Sequence, residues 1–274
     1  MTKDGRWPLA IPARGVAPPP GLCHLWLARL PPGGSWPGLP CLLDAAERER
    51  AGRLRSQAAR EAFTASRTAQ RLVLARYLAC PPRAVPISRT CRHCGADHGR
   101  PRVEGANVDF SVSHSGRWLV IAVTGGGVLV GADLEVPPRP LLEGLADRVL
   151  TAAERTALAQ VPQPGRAGWL LRAWTRKEAV AKLSGHGMAA PFSRIDVRGA
   201  VAIVERPPAG WPAGRIHLAD VPAGRARLLA LATTAPVTGI VRCGPLGRLV
   251  HLDRRAEGHG RDAAATGAEA TGRG

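Results

Sequence analysis

Lysine is almost missing from this chain. Of 38 basic residues only Lys3, Lys177 and Lys182 are lysines, so arginine is the default cation. Aromatic residues are scarce as well, at 4% with a single tyrosine, which argues against a platform on which successive nucleic-acid bases stack. No apolar run approaches the roughly 20 residues of a membrane span. The opening 1–20 holds five prolines and no apolar signal-peptide core. A cytoplasmic location without membrane contact is therefore expected. Six cysteines in 274 residues are too few for a disulfide framework, and free thiols are expected.

What is abundant is apolar surface and positive charge. At 45% hydrophobic residues the chain has enough to bury one large core or two lobes. A net charge of +17 fits a nucleic-acid binder. The arginines, however, are scattered through every segment and accompany a general bias towards Arg, Ala, Gly and Pro. Such a field steers anions, so an anionic substrate or partner is expected.

The pattern divides into a disordered arm over 1–20, a first lobe over 21–130, a second over 131–250 and a disordered tail over 251–274. Each lobe runs from helices to strands, with no repeat at the residue level. In the first, residues 22–28 form a strand. Asp44 and Glu47 make a capping box before a basic amphipathic helix, and a longer helix covers 60–78 until Pro81-Pro82. In the second, Thr151 and Glu154 make another capping box, a helix follows over 168–184 and ends at Gly185, and strands return at 195–197, 201–205, 216–221 and 228–234.

Between these lies Cys91-Arg92-His93-Cys94, followed by Gly99-Arg100-Pro101. A closed zinc site needs four ligands. Cys80, His93 or His98 are the available completions, and a tight loop presenting Arg100 is the preferred reading. From Val108 the chain alternates, with Val108, Phe110 and Val112 against Asp109, Ser111 and Ser113. Two further strands follow, over 118–124 and 128–135, giving an antiparallel three-strand meander. On the last strand Val128, Val130, Ala132 and Leu134 bury one face, while Asp133 and Glu135 project from the other.

Two acids on a strand are usually just solvated, and a Glu/Lys pair at i,i+4, such as Glu178 and Lys182, is usually a surface ion pair. The lysine economy of the chain sets this helix apart, because two of three lysines sit on it five residues apart. Lysine is a compact charge able to hold a phosphate or pass a proton, which arginine is not. Three acids and a lysine suggest a divalent cation beside a phosphate, and the Ser-His-Ser turn around His114 suggests an anion contact.

Three stretches together resemble a known family: Phe110-Ser111-Val112-Ser113-His114-Ser115-Gly116-Arg117-Trp118, then Gly131-Ala132-Asp133-Leu134-Glu135, then Trp174-Thr175-Arg176-Lys177-Glu178-Ala179 with Lys182, Gly185 and Gly187. Their order and spacing resemble the 4′-phosphopantetheinyl transferases of the large two-lobed, surfactin-synthetase-activating type. The resemblance implies an α+β fold of two similar α/β lobes about a pseudo-two-fold axis, in a monomer. It implies a holo-[acyl-carrier-protein] synthase activity, often serving secondary metabolite biosynthesis. The phosphopantetheine arm of coenzyme A passes to a serine of an apo acyl or peptidyl carrier protein, leaving adenosine 3′,5′-bisphosphate. It implies Mg²⁺ held by Asp133, Glu135 and Glu178, with Glu178 and Lys182 catalytic. It implies coenzyme A contacts from Ser113, His114, Arg100, Arg50, Thr68 and Lys177. The rival reading, an arginine-rich nucleic-acid-binding protein with a zinc knuckle at Cys91 and Cys94, leaves the acids and the lysines unexplained, so no nucleic-acid partner is expected.

Overall fold

A computed structural model describes residues 9–36, 41–91, 95–137, 144–224, 227–246 and 248–249. The chain is mixed α/β and forms two compact units. One holds Ala17–Arg29 and Pro86–Cys243; the other holds Leu9–Val16, Leu30–Val85 and the described residues from Gly244 onward. The strands on either side of residue 130 thus share one unit, so the compact units do not part at the expected border of 130/131.

In chain order the elements are β1 (Leu22–Arg29), α1 (Ala45–Gly52), α2 (Gln57–Leu78), β2 (Ile87–Thr90), β3 (Asp97–Val103), β4 (Val108–Ser115), β5 (Trp118–Gly125) and β6 (Val130–Glu135). They continue with α3 (Leu145–Val149), α4 (Ala152–Ala159), α5 (Gln163–Ser184), β7 (Ile195–Asp196), β8 (Val201–Val204), β9 (Ile216–Asp220), β10 (Leu228–Thr233) and β11 (Gly239–Cys243). The capping signals act as expected. Asp44 with Glu47 and Thr151 with Glu154 form reciprocal boxes, and α5 ends where Gly185 turns left-handed at φ 79°. Helix α5 begins five residues before the expected Gly168, because Pro164 suits the first turn of a helix.

In the second unit, residues 9–16 are tied to α2 instead of belonging to a disordered arm. Gly15 N donates to the Arg76 carbonyl at 2.8 Å, and Arg76 Nε donates to the Pro12 carbonyl at 2.7 Å. Residues 1–8 and 251–274 lie outside the described residues, as do His93 and Cys94 of the considered zinc site. Cys91 is buried.

The described residues of the first unit form three sheets. Their strand orders are β11-β1-β5-β4, β6-β10-β9-β8-β7 and β2-β3. The last pairs residues that read as a loop: β3 runs antiparallel to β2, with Ile87 opposite Val103. The expected meander is also corrected. β4 and β5 do pair antiparallel, but the other edge of β5 is taken by β1, so β6 leaves for the second sheet and pairs with β10. That second sheet packs against apolar side chains on both faces. Val130, Ala132, Leu134, Leu229 and Leu231 pack towards Leu25, Val120 and Ala122 of the first sheet. Ala230 and Ala232 pack towards Ala179, Val180 and Leu183 of α5. Burial on both sides is why β10 reads as a nearly continuous apolar run.

Lys177, expected to contact coenzyme A, belongs to this core. Its side chain is fully buried, with Nζ 2.7 Å from Glu154 Oε2 and donating to the carbonyls of Phe192, at 2.8 Å, and Ile195. A charge so deep persists only when paired. Burial pulls the ammonium below the usual lysine range, against the opposing pull of Glu154. Glu154 meanwhile caps α4 and accepts from Val197 N at 2.9 Å, so one carboxylate fastens α4, α5 and the start of the β7–β8 hairpin. Lys177→Met, which strands that carboxylate, is expected to cost about 3–5 kcal/mol in urea unfolding. Adding Glu154→Gln is expected to recover part of the loss. A single variant as stable as the parent would contradict this role.

Candidate active site

The β4 residues Asp109, Ser111, Ser113 and Ser115 share one face of a strand. That face meets β6, the edge strand of the second sheet. Val130 N donates to Asp109 Oδ2 at 2.7 Å, and Ala132 N to Ser111 Oγ at 2.9 Å. Ser113 Oγ donates to Asp133 Oδ1 at 2.8 Å and Ser115 Oγ to Glu135 Oε2 at 2.9 Å, while Val136 N donates to Ser115 Oγ at 3.2 Å. Side chains therefore take the place of a backbone ladder. Each edge N–H they satisfy would otherwise cost about 1–3 kcal/mol when buried.

Helix α5 reaches β6 on the face that carries the two acids, and Gly131 permits the approach. A Cβ at 131 would overlap the Ala179 carbonyl oxygen and stand 2.7 Å from Leu183 N. With that gap closed, Lys182 Nζ lies 2.7 Å from Asp133 Oδ1 and 2.8 Å from Ser113 Oγ. A cavity of about 320 Å³ opens beside this triangle, lined by Val112, Ser113, His114, Asp133, Glu135, Trp174, Glu178 and Lys182. His114 is exposed at this cavity, whereas Asp133 and Glu135 are buried. Trp174 is a lining residue that the charge-based reading passed over; its place one turn before Glu178 was the available signal.

The three expected metal ligands share this cavity without forming a closed cluster. Among the described residues no three His, Cys, Asp or Glu side chains are drawn together tightly enough to enclose an ion. The Lys182 ammonium already serves Asp133 Oδ1. Asp133 Oδ2, by contrast, is buried and meets no hydrogen-bond donor among the described residues. Three carboxylates around one cavity, one with a buried free oxygen, suit a hard oxygen-seeking cation such as Mg²⁺.

Arg100 stands differently from the expectation that it contacts coenzyme A. Its guanidinium pairs with both oxygens of Asp109 and donates to the carbonyls of Lys182, at 3.0 Å, and Val130, at 2.8 Å. It is a clamp across β3, β4, β6 and α5, with its fork spent inside the fold. Its chain still walls a larger cavity of about 570 Å³, which shares Val112 and Lys182 with the acidic one and continues past Gly99, Pro101, Gly185 and His186. Arg50 and Thr68 belong to the other unit, where Arg50 is exposed on α1 and Thr68 is buried on α2.

Gly131→Ala tests the approach of α5. The added methyl meets backbone atoms that cannot swing aside, so a loss of about 1–3 kcal/mol or more is expected in urea unfolding. The pairing of Lys182 with Asp133 is expected to loosen with it. Unchanged stability would mean that the helix does not lie on the strand so closely.

Comparison with known proteins agrees with the geometry. The model of the 4′-phosphopantetheinyl transferase superfamily matches residues 129–206, which carry Asp133, Glu135, Glu178 and Lys182. The 4′-phosphopantetheinyl transferase HetI of Nostoc sp. is 32% identical over 61% of this chain and 70% of its own. The 4′-phosphopantetheinyl transferase Sfp of Bacillus subtilis is 26% identical over 37% of this chain and 45% of its own. The Synechocystis sp. protein slr0495 is 28% identical, and this chain spans 63% of its length. The matched stretch includes the strand, the helix and the acids that surround the smaller cavity, and the chain belongs to the 4′-phosphopantetheinyl transferase superfamily.

Proposed function

We propose that this protein transfers the 4′-phosphopantetheine arm of coenzyme A to a serine of an apo acyl, peptidyl or polyketide carrier protein, releasing adenosine 3′,5′-bisphosphate. The observation that carries the reading is the triangle of Lys182, Asp133 and Ser113 on the cavity shared with Glu135 and Glu178. It joins a compact cation to a set of hard oxygen donors, as phosphoryl transfer requires. Asp133, Glu135 and Glu178 would hold Mg²⁺, which when bound supplies positive charge against the pyrophosphate.

The chain's own residues account for the remaining tasks. The serine oxygen forms a bond to the phosphorus that carries the pantetheine arm, and the bond from that phosphorus to the adenosine bisphosphate oxygen breaks. Glu178 takes the serine proton, directly or through a water that it orients. Lys182, oriented by Asp133 and Ser113, neutralises or protonates the leaving phosphate. Ser113 and His114 line the same cavity and would contact the phosphates. The larger cavity, which shares Val112 and Lys182 as lining, has room for a non-reacting part of coenzyme A, with Arg100 as a wall rather than a ligand. In this reading the enzyme is a holo-[acyl-carrier-protein] synthase of the two-lobed surfactin-synthetase-activating type. It acts as a cytoplasmic monomer, with its helix–strand order doubled about a pseudo-two-fold axis.

Incubation with Mg²⁺, coenzyme A and an apo carrier protein, followed by mass spectrometry of the carrier, is the direct test. One phosphopantetheine arm per carrier is expected, with none when EDTA is present. Asp133→Asn is expected to abolish transfer at ordinary Mg²⁺. Lys182→Arg keeps the charge but loses the compact head, and turnover is expected to fall roughly 10²-fold while coenzyme A binding weakens less. Near-normal transfer in EDTA would rule out the metal, and full turnover by Lys182→Arg would remove that residue from the chemistry.

A further inference from the structure

The β4–β5 hairpin places Trp118 opposite Ser115, the residue that donates to Glu135. Over the Trp118 ring, 3.9 Å from its centre, lies the guanidinium carbon of Arg227. Arg227 Nε donates to the Ala223 carbonyl, and among the described residues Arg227 meets no carboxylate. Its charged neighbour is another arginine, Arg242 of β11. Burial, followed by the Arg227 charge, lowers the pKa of Arg242, and burial lowers that of Arg227. Two more arginines belong to the same part of the sheet: Arg29 lies opposite Trp118 on β1, Arg117 precedes it in the chain, and both are exposed.

Beside Arg227 is a cavity of about 480 Å³, lined also by Arg172, Thr175 and the backbone turn of Pro222, Ala223 and Gly224. Asp220 is the acid among its described lining residues, and it is already bound by Arg172 and Arg176 at 2.6–2.9 Å. Among the described residues the positive charge of Arg227 is therefore left unbalanced. The patch also lies next to the proposed reaction site. Leu228, which follows Arg227, is opposite Glu135 in the β6–β10 register. Thr175 of this cavity adjoins Trp174 of the acidic one.

We propose that Trp118 and Arg227, together with Arg29, Arg117 and Arg242, form a docking patch for an acidic segment of the protein whose serine is modified. This rests on the reading above and adds where the acceptor protein binds. A guanidinium stacked on an indole keeps its outer N–H groups for a carboxylate, and tryptophan and arginine are both enriched among the residues that dominate interface energies. Four arginines in this region suit several carboxylates on a protein surface better than one small anion. They also account for local positive charge that the acidic cavity does not use.

The test is direct binding, so it does not depend on turnover. The affinity of an acidic apo carrier protein is measured by fluorescence anisotropy for the parent, for Arg227→Gln, and for Arg29→Gln combined with Arg117→Gln. The last variant changes only exposed side chains and guards against a folding defect at Arg227. Both variants are expected to bind at least about thirtyfold more weakly, the least that an interface hot spot contributes. Coenzyme A binding is expected to stay unchanged, and the loss is expected to vanish with a carrier whose surface Asp and Glu are changed to Asn and Gln. Carrier affinity unchanged in both variants would overturn the proposal. So would weaker coenzyme A binding in Arg227→Gln together with competition by inorganic pyrophosphate, which would make the patch a phosphate site. Failure of transfer by the parent protein would count against the proposed reaction alone, since carrier binding is read separately.

Discussion

The side-chain joint between β4 and β6 is the constraint on which the first unit depends. Both are edge strands, and an open edge leaves alternate N–H and C=O groups without partners. Here Asp109, Ser111 and Ser115 accept the N–H groups of Val130, Ala132 and Val136. Two sheets are thereby fastened edge to edge without a continuous ladder. The same run of short polar side chains sets the acids: Ser113 holds Asp133 and Ser115 holds Glu135. Structure and proposed chemistry thus draw on one alternation, with Asp109 and Ser111 serving as joints, Ser113 as orienter and Ser115 as both.

Helix α5 is the second half of that arrangement, and its two lysines divide the labour by burial. Lys177 faces the core and is matched by Glu154 and two carbonyls, so its charge fixes the helix in place. Lys182, about one and a half turns further on, is partly exposed at 29% and reaches the cavity. A five-residue step along a helix is about 500° of rotation, or roughly 140° beyond a full turn, which puts the two ammonium groups on different sides. The separation leaves only Lys182 free to follow a phosphate. Arg100 shows the same division: its planar fork suits the two oxygens of Asp109, and it is used for fastening.

Charge outside the cavity follows a similar logic. Most arginines with a described role are spent on carbonyls or carboxylates of their own fold, as Arg71 is on Asp44, Glu47 and the Val85 carbonyl, or Arg176 on Asp220 and Val197. A net charge of +17 therefore overstates what is offered to partners. Arg227 is an exception by its surroundings, since it meets an indole, a carbonyl and another arginine.

The sequence alone determined the local features: the capped starts of α1 and α4, the glycine stop of α5, the apolar strands, and the family signature that carries Asp133, Glu135, Glu178 and Lys182. These are legible because capping, periodicity and short motifs act over a few residues. The loop expected around Arg100 was a strand, since its pairing with β2 is not written in either segment by itself. The meander failed because β1, some 90 residues earlier in the chain, claims the second edge of β5. The roles of Lys177 and Arg100 were decided only by the tertiary structure. A lysine or an arginine reads the same in sequence whether it faces a cavity or a buried acid, and Glu154 and Asp109 come within reach only when the chain is folded. Burial and the identity of the neighbour settle what a charge does, and neither is a property of the residue itself.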